Sequence, residues 1–181
     1  RTPGSARGPS GNGRSYLDDK KMNETITERR SVRAVLLSQE GKVLLMKVRV
    51  EGPDGEVWIT PGGGIKDGES EAEALRREIR EETDHDLVDI GPKIWERVDV
   101  FRMDGRLFRQ SENYYFCSVH EFEPIPILLD EGIEKQGFLG FKWWSVEEIR
   151  KSSELFAPRD LHQHISNLTD KSRHGVTLLG R

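Results

Sequence analysis

Cysteine is almost absent. The single Cys117 cannot close an internal disulfide, and alone it cannot build a cysteine-based zinc site. Long apolar runs are missing as well: nothing approaches the ~18–20 consecutive apolar residues of a spanning helix, so no membrane-crossing helix is expected. A basic surplus is also lacking. Lys and Arg number 28 against 32 Asp and Glu, a formal net charge of -4, which argues against a whole-molecule affinity for nucleic acid and leaves only a local basic patch open. The hydrophobic set is 34% of 181 residues and charged residues are 33%, so the core must be compact and part of the chain should lie outside it. Without a secretory pattern, and with one cysteine, the expected address is cytoplasmic.

What is present divides in two. In residues 1–21, Gly4, Gly8, Gly11 and Gly13 alternate with Pro3, Pro9, Ser5, Ser10 and the arginines Arg1, Arg7 and Arg14. Such a stretch buries no apolar surface to offset its ordering entropy, so a flexible leader is expected, vector-derived or a native disordered arm. Residues 22–181 are expected to form one domain.

Regular patterning starts at Ser31. Val32–Leu37 and Val43–Val50 are aliphatic runs around the turn group Ser38-Gln39-Glu40-Gly41, which predicts a hairpin. Trp58-Ile59-Thr60 predicts a short strand running into Pro61-Gly62-Gly63-Gly64. Ile94–Met103 and Arg106–Val119 flank Asp104-Gly105, a second hairpin signal, and Phe138–Trp144 predicts a last strand. Helices are expected at Ser70–Thr83, Val146–Lys151 and Pro158–Thr169, the last with Leu161, Ile165 and Leu168 at helical spacing. Strands interrupted by helices predict an α/β (α+β) domain, a mixed β-sheet with helices packed on its faces.

The chemistry concentrates between Pro61 and His85. Ser70 followed by Glu73 is a capping box that starts a helix. At about 100° per residue, Ala72, Leu75 and Ile79 fall on one apolar stripe, and Glu78, Glu81 and Glu82 lie beside it within an arc of roughly 100°. Three carboxylates so close repel one another, and a hard divalent cation held by oxygen ligands relieves that repulsion. The glycine group lets the backbone approach a ligand closely, aim a carbonyl at a cation and leave room for phosphate oxygens. Arg77 is expected on the other side of the helix, ion-paired with Glu69 to fix the loop. A Glu-rich helix face taken alone is more often solvated surface.

The joint spacing tells more than any piece: Gly63, five residues, Glu69, seven residues, then Arg77-Glu78-Ile79-Arg80-Glu81-Glu82. This resembles the Nudix box, the loop–helix signature of the Nudix (MutT-like) hydrolases. Asp84 and His85 depart from it, standing where the family usually has Gly and an aliphatic residue. The missing Gly concerns the helix exit, a left-handed position that Asp adopts at modest cost, rather than the metal site. More loosely, the resemblance covers residues 30–150, including Trp143-Trp144-Ser145-Val146-Glu147-Glu148-Ile149.

The resemblance implies a Nudix-like α/β/α sandwich and a metal-dependent pyrophosphohydrolase. Its substrate would be a nucleoside diphosphate linked to another group, cut at the phosphoanhydride by water. Glu78, Glu81 and Glu82, with the carbonyl of Gly62 or Gly63, would hold Mg²⁺ or Mn²⁺, Glu81 as ligand or water-positioner. Gly63 and Gly64 would border the phosphates. For the general base the family offers a box glutamate or one from the loop before the last strand, here Glu131 or Glu134, with Glu134 favoured. Arg49 is a candidate substrate contact, since a guanidinium binds two oxygens at once. Trp58 is expected to pack under the glycine loop. The markers of the ADP-ribose and diadenosine polyphosphate subfamilies are missing. The main alternative is a catalytically weak nucleotide-binding or sensor module; an RNA-decapping relative would want a basic groove that the net charge disfavours. The family often forms dimers, so a homodimer is a further expectation.

Overall fold

The computed structural model describes residues 25–50, 55–103, 105–127, 137–169 and 177–179. Residues 1–21 and the loop candidates Glu131 and Glu134 lie outside them. The described elements are β1 (Ile26–Ser38), β2 (Lys42–Arg49), β3 (Glu56–Ile59), β4 (Gly62–Gly64), α1 (Glu71–Thr83), β5 (Lys93–Met103), β6 (Arg106–Val119), β7 (Phe138–Ser145), α2 (Val146–Lys151), α3 (Leu161–Thr169) and β8 (Thr177–Leu178).

The strands form one mixed sheet of eight in the order β3-β2-β1-β6-β5-β8, with β4 paired to β1 and β7 to β2. β1 runs parallel to β6 along its whole length, from Ile26 opposite Leu107 to Ser38 opposite Val119, while β5 and β6 close an antiparallel hairpin through Gly105. From Val32 to Leu37 β1 is apolar at every position but Arg33, because there both its faces are covered. Val32, Ala34 and Leu36 pack on one side with Ala74, Leu75 and Ile79 of α1. Val35 and Leu37 pack on the other with Ile149 of α2 and Leu161 and Ile165 of α3. This is the expected α/β/α layering.

Several boundaries depart from the sequence reading. The first turn is where the pattern put it, yet β1 and β2 pair only at Leu37 and Val43 before diverging. β2 then goes to β7 and β3. The edge of β1 so released is taken by β4, with Ser31, Val32 and Arg33 opposite Gly64, Gly63 and Gly62. The glycine group, read as a bend, is thus a strand in the sheet. Only glycine fits at Gly62, where φ is 132° and an added Cβ would lie 2.2 Å from the Val32 carbonyl oxygen. α3 starts at Leu161 rather than Pro158, because residues 158–160 form a turn that caps it through Leu161 N–H donating to the Pro158 carbonyl. β8 was not anticipated: two residues carry no periodicity.

Candidate active site

Helix α1 is placed precisely at both ends. Ser70 accepts from the Glu73 N–H while the Glu73 carboxylate accepts from the Ser70 N–H, the predicted capping box. At the other end Asp84 adopts the left-handed conformation, φ 56°, and donates its N–H to the Arg80 carbonyl, the role expected of the missing glycine. Between them, Ala74, Leu75 and Ile79 bury against the sheet and carry Glu78 and Glu82 down with them; these carboxylates are only 4% and 3% exposed. A buried carboxylate needs compensation, and both meet the glycine strand. The Gly62 N–H donates to Glu82 Oε2 at 2.8 Å. A Cβ on Gly63 would stand 2.6–2.7 Å from the carboxylate atoms of Glu78, so the absent side chain is what admits it.

Arg77 locks this arrangement. Its Nε and Nη2 grip Glu69 at 2.6 and 2.9 Å, and Nη2 also donates to the Gly64 carbonyl at 2.8 Å. The expected ion pair is present, but Arg77 does not turn away from the acidic face: Nη1 lies 2.7 Å from Glu78 and 3.3 Å from Glu81. A guanidinium reaches both sides because its fork is wide. The Arg77 bond holds the Glu69 carboxyl at about 2. Burial still raises Glu78 above the usual carboxylate range, although Arg77 opposes the shift. A carboxylate whose charge is incompletely compensated in a buried place fits a further cation.

Among the described residues no three His, Cys, Asp or Glu side chains converge into a ready cage. The donor set suits Mg²⁺ or Mn²⁺ nonetheless, because Mg²⁺ is usually held by one or two carboxylates, with waters and substrate phosphates completing the shell.

A family model described as NUDIX domain matches residues 27–165. The chain belongs to the Nudix family. It is similar to the nucleoside triphosphatase NudI of Salmonella heidelberg, 35% identical over 127 residues that span 66% of this chain and 84% of the relative. The fold is shared with the MutT protein of Methanosarcina mazei, TM-score 0.58 at 21% identity, covering 82% of this chain and all of that one. It is shared too with the NUDIX domain of NrtR from Shewanella oneidensis, solved in complex with ADP ribose, TM-score 0.59 at 18% identity over 86% and 99% of the two chains. As a Nudix domain of this kind, the protein is a hydrolase acting on phosphoanhydride bonds.

Within the Nudix frame, Glu78, Glu82, Gly62 and Gly63 come together, with Glu81 linked to them through Arg77. Arg49 stands at the end of β2, mostly exposed and paired with Glu56 of the neighbouring strand at 3.6 Å. Glu134 lies outside the described residues, but the chain on either side is fixed. Ile125 and Ile127, which alternate with Pro124 and Pro126, donate to the Thr83 and Glu81 carbonyls at the end of α1. Gly137 lies against the Arg49 backbone, where a Cβ would be 2.5 Å from the Arg49 carbonyl oxygen. Trp58 is buried edge-on against Trp144 in the core shared with α2 and α3. No described helix is long and apolar enough to cross a membrane.

The sequence reading missed Arg33. It is buried in β1, and its guanidinium reaches both Glu112 and the Gly62 carbonyl. A charged residue inside Val32-Arg33-Ala34-Val35 is rare without a buried partner, and that anomaly was the available signal. Beyond Glu112, Arg97 and Asp99 form one wall of a cavity of about 190 Å³ on the α3 side of the sheet, with Val57, Phe156 and Pro158.

Proposed function

We propose that the protein is a Mg²⁺- or Mn²⁺-dependent pyrophosphohydrolase of a nucleotide or nucleotide derivative. The observation that carries this reading is the burial of Glu78 and Glu82 against a glycine strand that leaves room for them. A bound Mg²⁺ or Mn²⁺ would neutralise phosphate charge and make an attacking water more acidic. In this reading Glu78 and Glu82 hold the ion, with the Gly62 or Gly63 carbonyl turned to it, and Glu81 binds or orients a water. Arg77 keeps the helix and the glycine strand in register by holding Glu69 and the Gly64 carbonyl together. Glu134 is the proposed acceptor of the water proton. Gly63 and Gly64 border the phosphates, and Arg49 is a proposed contact to the outer part of the substrate. The similarity to a nucleoside triphosphatase makes nucleoside triphosphates the first substrates to try. The single buried cysteine suits a reducing, cytoplasmic setting.

The test is release of phosphate, pyrophosphate or nucleoside monophosphate from nucleoside triphosphates, ADP-ribose, nucleotide sugars and dinucleoside polyphosphates, with Mg²⁺, with Mn²⁺ and with EDTA. Turnover of at least one compound, lost in EDTA and restored by metal, is the expected result. Turnover unchanged in EDTA would overturn the metal reading. Tight binding of a nucleotide with no turnover would favour the sensor module.

A further inference from the structure

Arg33 occupies a place where the strand wants an aliphatic side chain: its neighbour on the same face, Val35, is fully buried in the α2/α3 core. Burying a guanidinium there costs free energy unless its donors are used, and their distribution is informative. Nε donates to Glu112 Oε1 at 3.0 Å. Nη1 donates to the Gly62 carbonyl at 2.8 Å and to the Thr60 carbonyl at 3.3 Å. Arg33 thus joins a fixed acid on β6 to the backbone entering the glycine strand.

Glu112 is a firm anchor. Besides Arg33 it accepts from Tyr114 Oη and Gln110 Nε2, both at 2.9 Å, and from Arg97 Nη1 at 3.3 Å. Burial alone would raise its pKa, but the Arg33 and Arg97 charges prevail and hold it below the usual range, so Glu112 stays ionised. Gly62 is therefore gripped through both its flanking peptides. Its carbonyl is held by Arg33 and its N–H by Glu82. A carbonyl oxygen has two lone pairs, and a hydrogen bond to Arg33 leaves the second for another partner.

We propose that Arg33 is a positioning residue that sets the affinity of the glycine strand for a divalent cation by fixing the direction of the Gly62 carbonyl, with Glu112 as its anchor. The inference rests on the metal reading of Glu78 and Glu82 and extends it to a buried pair on the opposite face of the sheet. Lysine cannot substitute: one ammonium preserves the charge beside Glu112 but lacks the rigid fork that spans a carboxylate and two carbonyls.

The test needs no substrate. Free Mn²⁺ is titrated against the full chain by EPR in the wild type, Arg33→Lys, Glu112→Gln and, as a stability control, Val35→Ala. Val35→Ala lowers Tm by opening a cavity in the same core without touching the strand. The wild type should bind Mn²⁺, and Arg33→Lys should bind it about tenfold more weakly, as partners behind a metal ligand typically do. Glu112→Gln should be weakened in the same direction, and it carries the test should Arg33→Lys not fold. Val35→Ala should keep wild-type affinity despite its lower Tm. Equal Mn²⁺ affinity in the folded Arg33 or Glu112 variant and the wild type would overturn the positioning role alone. A weakening in Val35→Ala as large as in the others would reduce that role to general stability. Wild-type protein that binds no Mn²⁺ would overturn the metal reading, and this inference with it.

Discussion

The Gly62 N–H donates to Glu82 Oε2 at 2.8 Å, joining the glycine strand to the last turn of α1 across 20 residues of sequence. If the proposed metal reading holds, this buried carboxylate has two duties, tying the strand to the helix and offering charge to a cation, and substitutions separate them. Glutamine keeps an acceptor for the Gly62 N–H and removes the charge. Glu82→Gln should fold with a Tm near wild type while activity falls by at least about 100-fold, the upper end of what loss of a mere outer-shell partner costs. Glu82→Ala leaves a buried N–H unpaired and should lose about 1–3 kcal/mol of stability in addition. Thermal melts beside metal-dependent turnover check both.

The neighbouring glycines should respond differently to a methyl group. At Gly62 the added Cβ would meet backbone, the Val32 carbonyl oxygen at 2.2 Å, and φ is 132°. Neither can relax without breaking the β1–β4 pairing, so Gly62→Ala should fail to fold or unfold far below the wild type. At Gly63 the atoms nearest the added Cβ would be the carboxylate end of Glu78. That side chain can swing aside, so Gly63→Ala should fold and weaken Mn²⁺ binding. Circular dichroism and a Mn²⁺ titration distinguish the pair. Similar stability in both variants would mean that β4 is not held as described.

Much of this was legible in the sequence because local rules carried it. The capping box at Ser70, the helix Val146–Lys151 and the hairpin through Gly105 depend on residues a few positions apart, and each was found where the pattern put it. The Asp84 cap was readable for the same reason. What escaped reading depends on residues far apart in sequence. β4 exists because β1 and β2 diverge after one pair, which no periodicity in Gly62–Gly64 announces. Arg77 was expected to turn away from the acidic face, since helical angles place a Cα but not the end of a long fork. Arg33 has its partner Glu112 79 residues away, so only its misfit in an apolar run hinted at a role.

The Arg77–Glu69 grip also gives stability a pH dependence with a definite sign. Glu69 titrates at about 2 in the folded protein against an ordinary 4.5. A folded-state pKa below the unfolded one contributes stability that is fully present above 4.5 and disappears as pH falls from 4.5 towards 2. Glu69→Gln should therefore lower Tm at neutral pH and flatten the decline across that interval. Melts at half-unit steps from pH 2 to pH 6 follow it. Parallel wild-type and variant curves would place the acid sensitivity in other carboxylates.

The helix exit offers a test that leaves the buried carboxylates untouched. Asp84 sits at φ 56°, ψ 21°, a region that costs most L-residues roughly 1–2 kcal/mol and Asp somewhat less. Glycine removes that strain but gives the unfolded chain more freedom, and the exposed Arg80–Asp84 pair it deletes contributes little. Asp84→Gly should thus change stability by no more than about 1 kcal/mol, in the favourable direction, whereas β-branched Asp84→Val should destabilise. Because Glu78 and Glu82 are set by the packing of Leu75 and Ile79 rather than by the cap, Asp84→Gly should turn over substrate at the wild-type rate. Denaturant melts paired with an activity assay decide it: a glycine variant that is stable but inactive would show that the cap, and not the buried face of α1, aims the carboxylates.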